Sequence, residues 1–201
     1  VPDACVGCRT RGDLLCGSCE KTLAPASSSR DVRIISVFSY ADSRVRRLVW
    51  LLKYRLAKRV AELLGKHMAA ALVEHLGEES HFSGKVILVP VPVTSRRKRS
   101  RGFNQSEALA LAIMPHVPGI EISTRLLSKT RDTKAQAETQ SRAERVTNLG
   151  DCFKATRDDS LLGRTIVLVD DVTTTGATFL ATKNALTRAG YRRVIMIAAC
   201  H

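Results

Sequence analysis

Between Val167 and Thr178 the chain reads Val-Leu-Val-Asp-Asp-Val-Thr-Thr-Thr-Gly-Ala-Thr. An apolar strand there delivers two adjacent carboxylates, Asp170 and Asp171, at its carboxyl end, where ligands bind in open α/β sheets. Thr173, Thr174, Thr175 and Gly176 follow at once, and Ala177 and Thr178 open a helix. The start of a helix offers unpaired N–H groups and a partial positive charge, which suit a phosphate. Glycine lets the backbone approach the anion, and threonine hydroxyls add donors. Carboxylates repel a phosphate, so the acids need other partners: sugar hydroxyls, or Mg²⁺. The combination points to a sugar phosphate. A nucleotide P-loop is disfavoured, because no Gly-Lys-Ser/Thr triplet follows Gly176.

Two further clusters carry chemistry. Pro90-Val-Pro92 leads through Thr94 into Arg96, Arg97, Lys98, Arg99 and Arg101, five cations in six positions, then Gly102-Phe103-Asn104-Gln105. Guanidinium groups bind pyrophosphate bidentately. A solvated basic turn or a nucleic-acid patch is the competing reading of the same residues. Cys5-x₂-Cys8-x₇-Cys16-x₂-Cys19 holds two CxxC knuckles, each presenting two thiolates, and together they complete a tetrahedral Zn²⁺ site. The remaining Cys152 and Cys200 read as packed thiols. The five histidines share no motif, and no Ser/His/Asp or Cys/His constellation is evident.

The segment 167–178 resembles, nearly position for position, the phosphoribosyl-pyrophosphate (PRPP) motif of type I phosphoribosyltransferases. Pro90-Val-Pro92 with Arg101-Gly-Phe-Asn-Gln105, combined with the N-terminal cysteines, is similar to the ComF family. Lys53-Tyr54-Arg55, Lys129 to Gln136 and Arg142 to Asn148 extend that resemblance over nearly the whole chain. The resemblance implies that Asp170 and Asp171 contact the ribose 2′- and 3′-hydroxyls, and that Thr173, Thr174, Thr175, Gly176, Ala177 and Thr178 bind the 5′-phosphate. Thr94, Arg96, Arg97, Arg101 and Lys53 would serve the pyrophosphate. The polar stretch 130–141 would be a mobile loop closing over PRPP with Arg131 and Lys134; a plain surface loop is the alternative. Mg²⁺ would accompany PRPP. Phe103 and Tyr54 are candidates to stack on a base, but no acceptor is legible.

The elements that must position these residues follow from periodicity. Residues 32–38 are β-branched and apolar, as in a strand. Val45, Leu48, Val49, Leu52 and Leu56 recur at helical spacing with Arg and Lys on the other face, and a second helix spans about 57–76. A buried strand at 85–92 leads into a basic loop and then a helix over 104–114. Strands at 125–129, 166–169 (central) and 194–199, with a helix over 177–189, complete the pattern. Strand and helix alternate from residue 85, so the expected fold class is α/β: a type I phosphoribosyltransferase-like, mainly parallel sheet flanked by helices, plus a small zinc module. The module is expected over 1–24, a Pro/Ser/Ala linker over 25–31, and the α/β domain over 32–201.

The 201 residues carry a net charge of +13 and are 44% apolar, which excludes wholesale disorder and favours polyanionic partners. The positive charge gathers at Arg44–Arg59 and Arg96–Arg101. No stretch approaches the roughly 20 apolar residues of a membrane span, and Val1 is not followed by a signal-peptide pattern, so the reading is a soluble cytoplasmic protein without membrane insertion. Three functions are weighed. The first is a PRPP-dependent transferase. The second, from the family's link to DNA uptake, is a competence accessory protein binding single-stranded DNA through the basic face and zinc module, with other DNA-uptake proteins as partners. The third is a PRPP sensor without catalysis. A homo-oligomer is compatible with all three.

Overall fold

The computed structural model describes residues 4–27, 33–55, 58–78, 86–131 and 152–201. In chain order the elements are α1 (Gly17–Lys21), β1 (Ile34–Phe38), α2 (Ser43–Arg55), α3 (Lys58–Glu78), β2 (Val86–Pro90), α4 (Ser95–Arg101), α5 (Gln105–Ile113), β3 (Glu121–Ile122), β4 (Leu127–Lys129), β5 (Phe153–Ala155), β6 (Thr165–Val172), α6 (Ala177–Arg188) and β7 (Arg193–Cys200). Five strands form one sheet in the order β1-β7-β6-β2-β3, every pairing parallel. β6, expected to be central, is the middle strand.

A parallel sheet is covered on both faces, so its strands are apolar throughout. Alternation along each strand then sends neighbours to opposite cores. Val86, Leu88, Val167, Val169, Ile195 and Ile197 face one core, with α2, α3, α5 and the cysteine module. Ile87, Val89, Ile166, Leu168, Val194 and Met196 face the other, with α6 and the residues around β4 and β5. The cysteine module contributes Cys5, Val6, Leu14, Leu15 and Leu23 to the first core. Ala24, the last residue of the expected module, and Ala26, in the expected linker, hydrogen-bond to Ser39 and Val37 and cover the outer edge of β1.

Two local expectations are corrected, and short elements are added to the pattern. The segment read as a basic loop is the helix α4: Thr94 Oγ1 accepts from the Arg97 amide, Arg and Lys are good helix formers, and Gly102 ends it at φ 79°. It carries no buried residue, so it shows no apolar stripe to announce it. The strand expected at 125–129 is β4 alone, and it leaves the main sheet to pair antiparallel with β5, a strand the pattern did not reveal. β3, two residues long at the sheet edge, was too short to read. Gly17–Lys21, which begins in the second knuckle and runs two residues past Cys19, is the helix α1.

No helix among the described residues is long and apolar enough to cross a membrane. Lys134, and all but Thr130 and Arg131 of the loop expected over 130–141, lie outside the described residues, as do residues 28–31 of the expected linker.

Candidate functional site

β2 and β6 lie side by side, but their onward connections leave on opposite faces. The route from β2 to β3 passes through α5 over one core, and the route from β6 to β7 passes through α6 over the other. Such a divergence opens a crevice at the carboxyl ends of the two strands. Both of the sequence's anion-directed clusters begin there: Asp170 and Asp171 end β6, and Thr94 with α4 follows β2.

Asp170 turns its carboxylate toward the first turn of α5. Its Oδ1 accepts from Ser106 Oγ at 3.0 Å and from the Asp171 amide at 2.9 Å. Burial, and then the neighbouring Asp171 charge, push its carboxyl up to about 7, against the bonds from Asp171 N and Ser106 and the charge of Lys53. Asp171 is 6% exposed. Its Oδ1 accepts from the Val172 amide, and its Oδ2 lies 2.9 Å from Lys53 Nζ. Burial alone would lower the Lys53 pKa, but the Asp171 carboxylate outweighs it and the net shift is upward.

The turn after β6 is anchored at both ends. The Thr173 amide donates to Cys200 O, and Thr175 Oγ1 accepts from the Ala177 amide. His201 Nε2 lies 3.0 Å from Thr174 O. Gly176, at φ 70°, caps α6 in the left-handed region, where a side chain is disfavoured. Among the described residues the amides of Thr174, Thr175 and Gly176 have no hydrogen-bond partner. Three unpaired donors beside a helix start form a cradle that could hold an anion.

On the other wall, Thr94 is buried as the cap of α4, Arg96 is exposed and Arg97 half-buried. Arg101 places its guanidinium 5.5 Å from the centroid of the Tyr54 ring. Asn104 caps α5 and donates to Val91 O, tying this wall to β2. Arg131 is exposed beyond β4, with no hydrogen bond or ion pair to the Asp170–Thr178 segment among the described residues. Sequence reasoning placed Lys53 at pyrophosphate, whereas here it pairs with Asp171. It did not foresee Ser106, whose partner Asp170 lies 64 positions away.

The second site is the cysteine cluster. The sulfurs of Cys5, Cys8, Cys16 and Cys19 all lie within 4.8 Å of one another, and those of Cys5 and Cys8 stand 3.7 and 3.5 Å from Cys16. A tetrahedral site with Zn–S bonds of about 2.3 Å sets its sulfurs about 3.8 Å apart, so the four could hold a zinc ion. Burial opposes ionisation of Cys5, yet amide donors from Cys16, Cys8 and Gly7 bring its thiol down to about 6. Cys19 is pushed up to about 12, chiefly by its contact with Cys16. Four thiolates this close cannot all ionise without a cation among them. Gly7 is required, since a Cβ there would stand 2.7 Å from Cys19 Sγ. Arg44 of α2 fastens the cluster to the body: it donates to Cys19 O, Thr22 O and Thr22 Oγ1 and forms an ion pair with Asp42 at 2.6 Å.

No protein-family model matches the chain. It is 35% identical over 102 residues to the competence protein ComFC of Bacillus subtilis (strain 168), an alignment covering 50% of this chain and 36% of that protein. It is 30% identical over 190 residues to the DNA utilization protein YhgH of Salmonella typhi, covering 93% of this chain and 78% of that one. The YhgH protein of Escherichia coli (strain K12) is 28% identical over 191 residues, 95% of this chain and 79% of that one.

Proposed function

The chain belongs to the ComF family, and from that footing we propose that it binds PRPP and transfers the phosphoribosyl group to an acceptor, releasing pyrophosphate, in service of DNA uptake or use. One observation carries the reading: twin carboxylates at the end of the middle strand run directly into a turn whose Thr174, Thr175 and Gly176 amides are unpaired. The turn would seat the 5′-phosphate. Asp170 and Asp171 would accept from the ribose hydroxyls. Lys53, freed from Asp171, would join Thr94, Arg96, Arg97 and Arg101 around the pyrophosphate.

In the reaction the C1–oxygen bond of PRPP breaks, pyrophosphate leaves with the bonding electrons, and a bond forms from C1 to the acceptor, which gives up a proton. Little acid–base work is required, so positioning and charge stabilisation do most of it. Asp170 and Asp171 offer hard oxygen donors suited to Mg²⁺, which when bound neutralises the leaving group. The cysteine cluster would hold structural Zn²⁺ and stands outside this chemistry.

Calorimetry of the full chain with PRPP and Mg²⁺ tests the binding step. Asp170→Asn combined with Asp171→Asn should abolish the heat, and unchanged affinity would refute the site. A pyrophosphate-release screen against bases, amines and oligonucleotides tests turnover and finds the acceptor.

The relatives are a competence protein and DNA utilization proteins, which supports a second reading. In it the protein assists DNA uptake by binding single-stranded DNA, alongside other uptake proteins, with PRPP as ligand or regulator. Salt separates the two. Binding through about six phosphates of a single strand falls with a log–log slope of about −4, whereas a PRPP site survives moderate salt.

A further inference from the structure

Helix α2 buries Val45, Leu48, Val49, Leu51 and Leu52, yet its opposite face carries Trp50, 50% exposed, and Tyr54, 58% exposed. The chain has one tryptophan, three tyrosines and five phenylalanines. Two of these nine rings are therefore spent on solvent, four residues apart on one helix. Their centroids are 5.6 Å apart with the planes tilted by 42°. Arg101 of α4 covers Tyr54 and so joins the two helices. Arg47, three residues before Trp50, extends the same stripe.

The charge around the rings is of one sign. Together α2 and α4 carry ten Lys and Arg residues and no Asp or Glu. Some are committed inside the protein: Arg44 to Asp42, Arg46 to the carbonyls of Tyr40 and Ala41, Lys53 to Asp171, and Lys98 to Glu107 at 3.8 Å. Arg47, Arg55, Arg96 and Arg99 are exposed and make no ion pair among the described residues. An acidic peptide would use the cations and leave the rings idle. A duplex would present phosphates but keep its bases stacked inside. A single strand satisfies both, with phosphates for the arginines and π-faces for the rings.

We propose that Trp50 and Tyr54, with Arg101 behind them, form a base-stacking platform for single-stranded nucleic acid, its backbone held by the exposed arginines of α2 and α4. The proposal rests on the second reading above, to which it gives a location. Lys53 lies between the two rings in sequence, so the strand would pass the mouth of the Asp170–Asp171 crevice.

Trp50 is the sole tryptophan, so its fluorescence reports stacking directly. The full chain is titrated with an oligothymidylate of about 20 nucleotides, longer than one stacking site requires, and read by Trp50 emission and by anisotropy of the labelled strand. The emission is quenched on binding, and an abasic strand of equal length leaves it unquenched. Trp50→Ala and Tyr54→Ala each weaken binding about tenfold, and Trp50→Phe restores most of it. Arg99→Ala lowers the salt slope by about one. Circular dichroism melts establish that the variants are folded. Binding without quenching, and indifferent to both ring variants, overturns the platform but leaves the nucleic-acid reading standing. No binding of single strands overturns both. Equal affinity for a duplex, or preferential binding of phosphatidylglycerol vesicles, overturns the platform.

Discussion

Lys53 Nζ stands 2.9 Å from Asp171 Oδ2, which brings a cation from α2 to the carboxyl end of β6. The lysine is 25% exposed and the carboxylate 9%, so the pair is largely withdrawn from water. With Asp170 adjacent, two carboxylates share this edge with one ammonium. On the proposed function, ribose hydroxyls would take the place of the lysine at these acids.

Removing the lysine alone leaves a buried charge without compensation. Lys53→Met is expected to destabilise the fold by about 1–3 kcal/mol, below the roughly 3–5 of fully buried pairs because the lysine keeps some solvent. Lys53→Met combined with Asp171→Asn should cost less than the single lysine change. Urea denaturation of the four members of that cycle measures the coupling. Additive effects would mean that the pair contributes nothing.

Asp170 makes the free protein sensitive to pH. Its folded carboxyl is raised to about 7 by burial and by Asp171, while the unfolded group ionises near the ordinary value of about 3.9. Between those values the unfolded chain binds fewer protons, so this group's contribution to stability falls as pH rises from about 4 to 7 and stays lost above. Asp170→Asn keeps an Oδ1 acceptor for Ser106 and the Asp171 amide, and discards the charge. Its melting temperature should exceed that of the parent at pH 8, by about 2–4 °C for each kcal/mol relieved in a chain this size, with little difference at pH 4. A lower melting temperature at pH 8 would show that the carboxylate is well accommodated.

The cysteine cluster is expected to yield one zinc per chain by elemental analysis. Cys16→Ser should lose it, because that sulfur lies 3.7 and 3.5 Å from those of Cys5 and Cys8. Gly7→Ala should do the same through the 2.7 Å approach of its Cβ to Cys19 Sγ, although no ligand atom is removed. A chelator should lower the melting temperature of the parent, since Arg44 then loses its anchors at Cys19 and Thr22. Metal binding of this type contributes on the order of 10 kcal/mol to folding, so a protein that melts identically with and without chelator would exclude it.

What could be read in advance was chemistry written in contiguous residues. Asp170 to Thr178 forms strand end, turn and helix start in one run, and the four cysteines fall within nineteen positions, so the site and the cluster were legible. The main strands were equally plain, because burial on both faces leaves an unbroken apolar run such as Val86–Val89. The pairings were not legible. Ser106 with Asp170 and Lys53 with Asp171 join distant segments that only the sheet order brings together. α4 escaped notice because a helix with no buried face has no period to detect. The β4–β5 ribbon joins strands on either side of residues 132–151, three residues each, below the length at which alternation shows.

Two glycines should respond to alanine in opposite ways. A Cβ on Gly65 of α3 would stand 2.5 Å from Ala112 Cβ and 2.9 Å from its backbone carbon, where α3 crosses α5. Backbone cannot yield there, so Gly65→Ala should separate the helices and cost about 1–3 kcal/mol, with PRPP affinity of the folded fraction unchanged. A Cβ on Gly176 meets only Ile34 Cδ1, at 3.3 Å, the movable end of a side chain. The strain there is conformational, because alanine at φ 70° costs about 1–2 kcal/mol. The turn can relax by leaving the left-handed region, which turns the amides of Thr175 and Gly176 out of the cradle. Gly176→Ala should therefore keep most of its stability and lose PRPP affinity, about tenfold or more for each charge-assisted donor removed. Calorimetry beside thermal melts separates the two outcomes, and a Gly176→Ala protein that binds PRPP as the parent does would show that the phosphate is seated elsewhere.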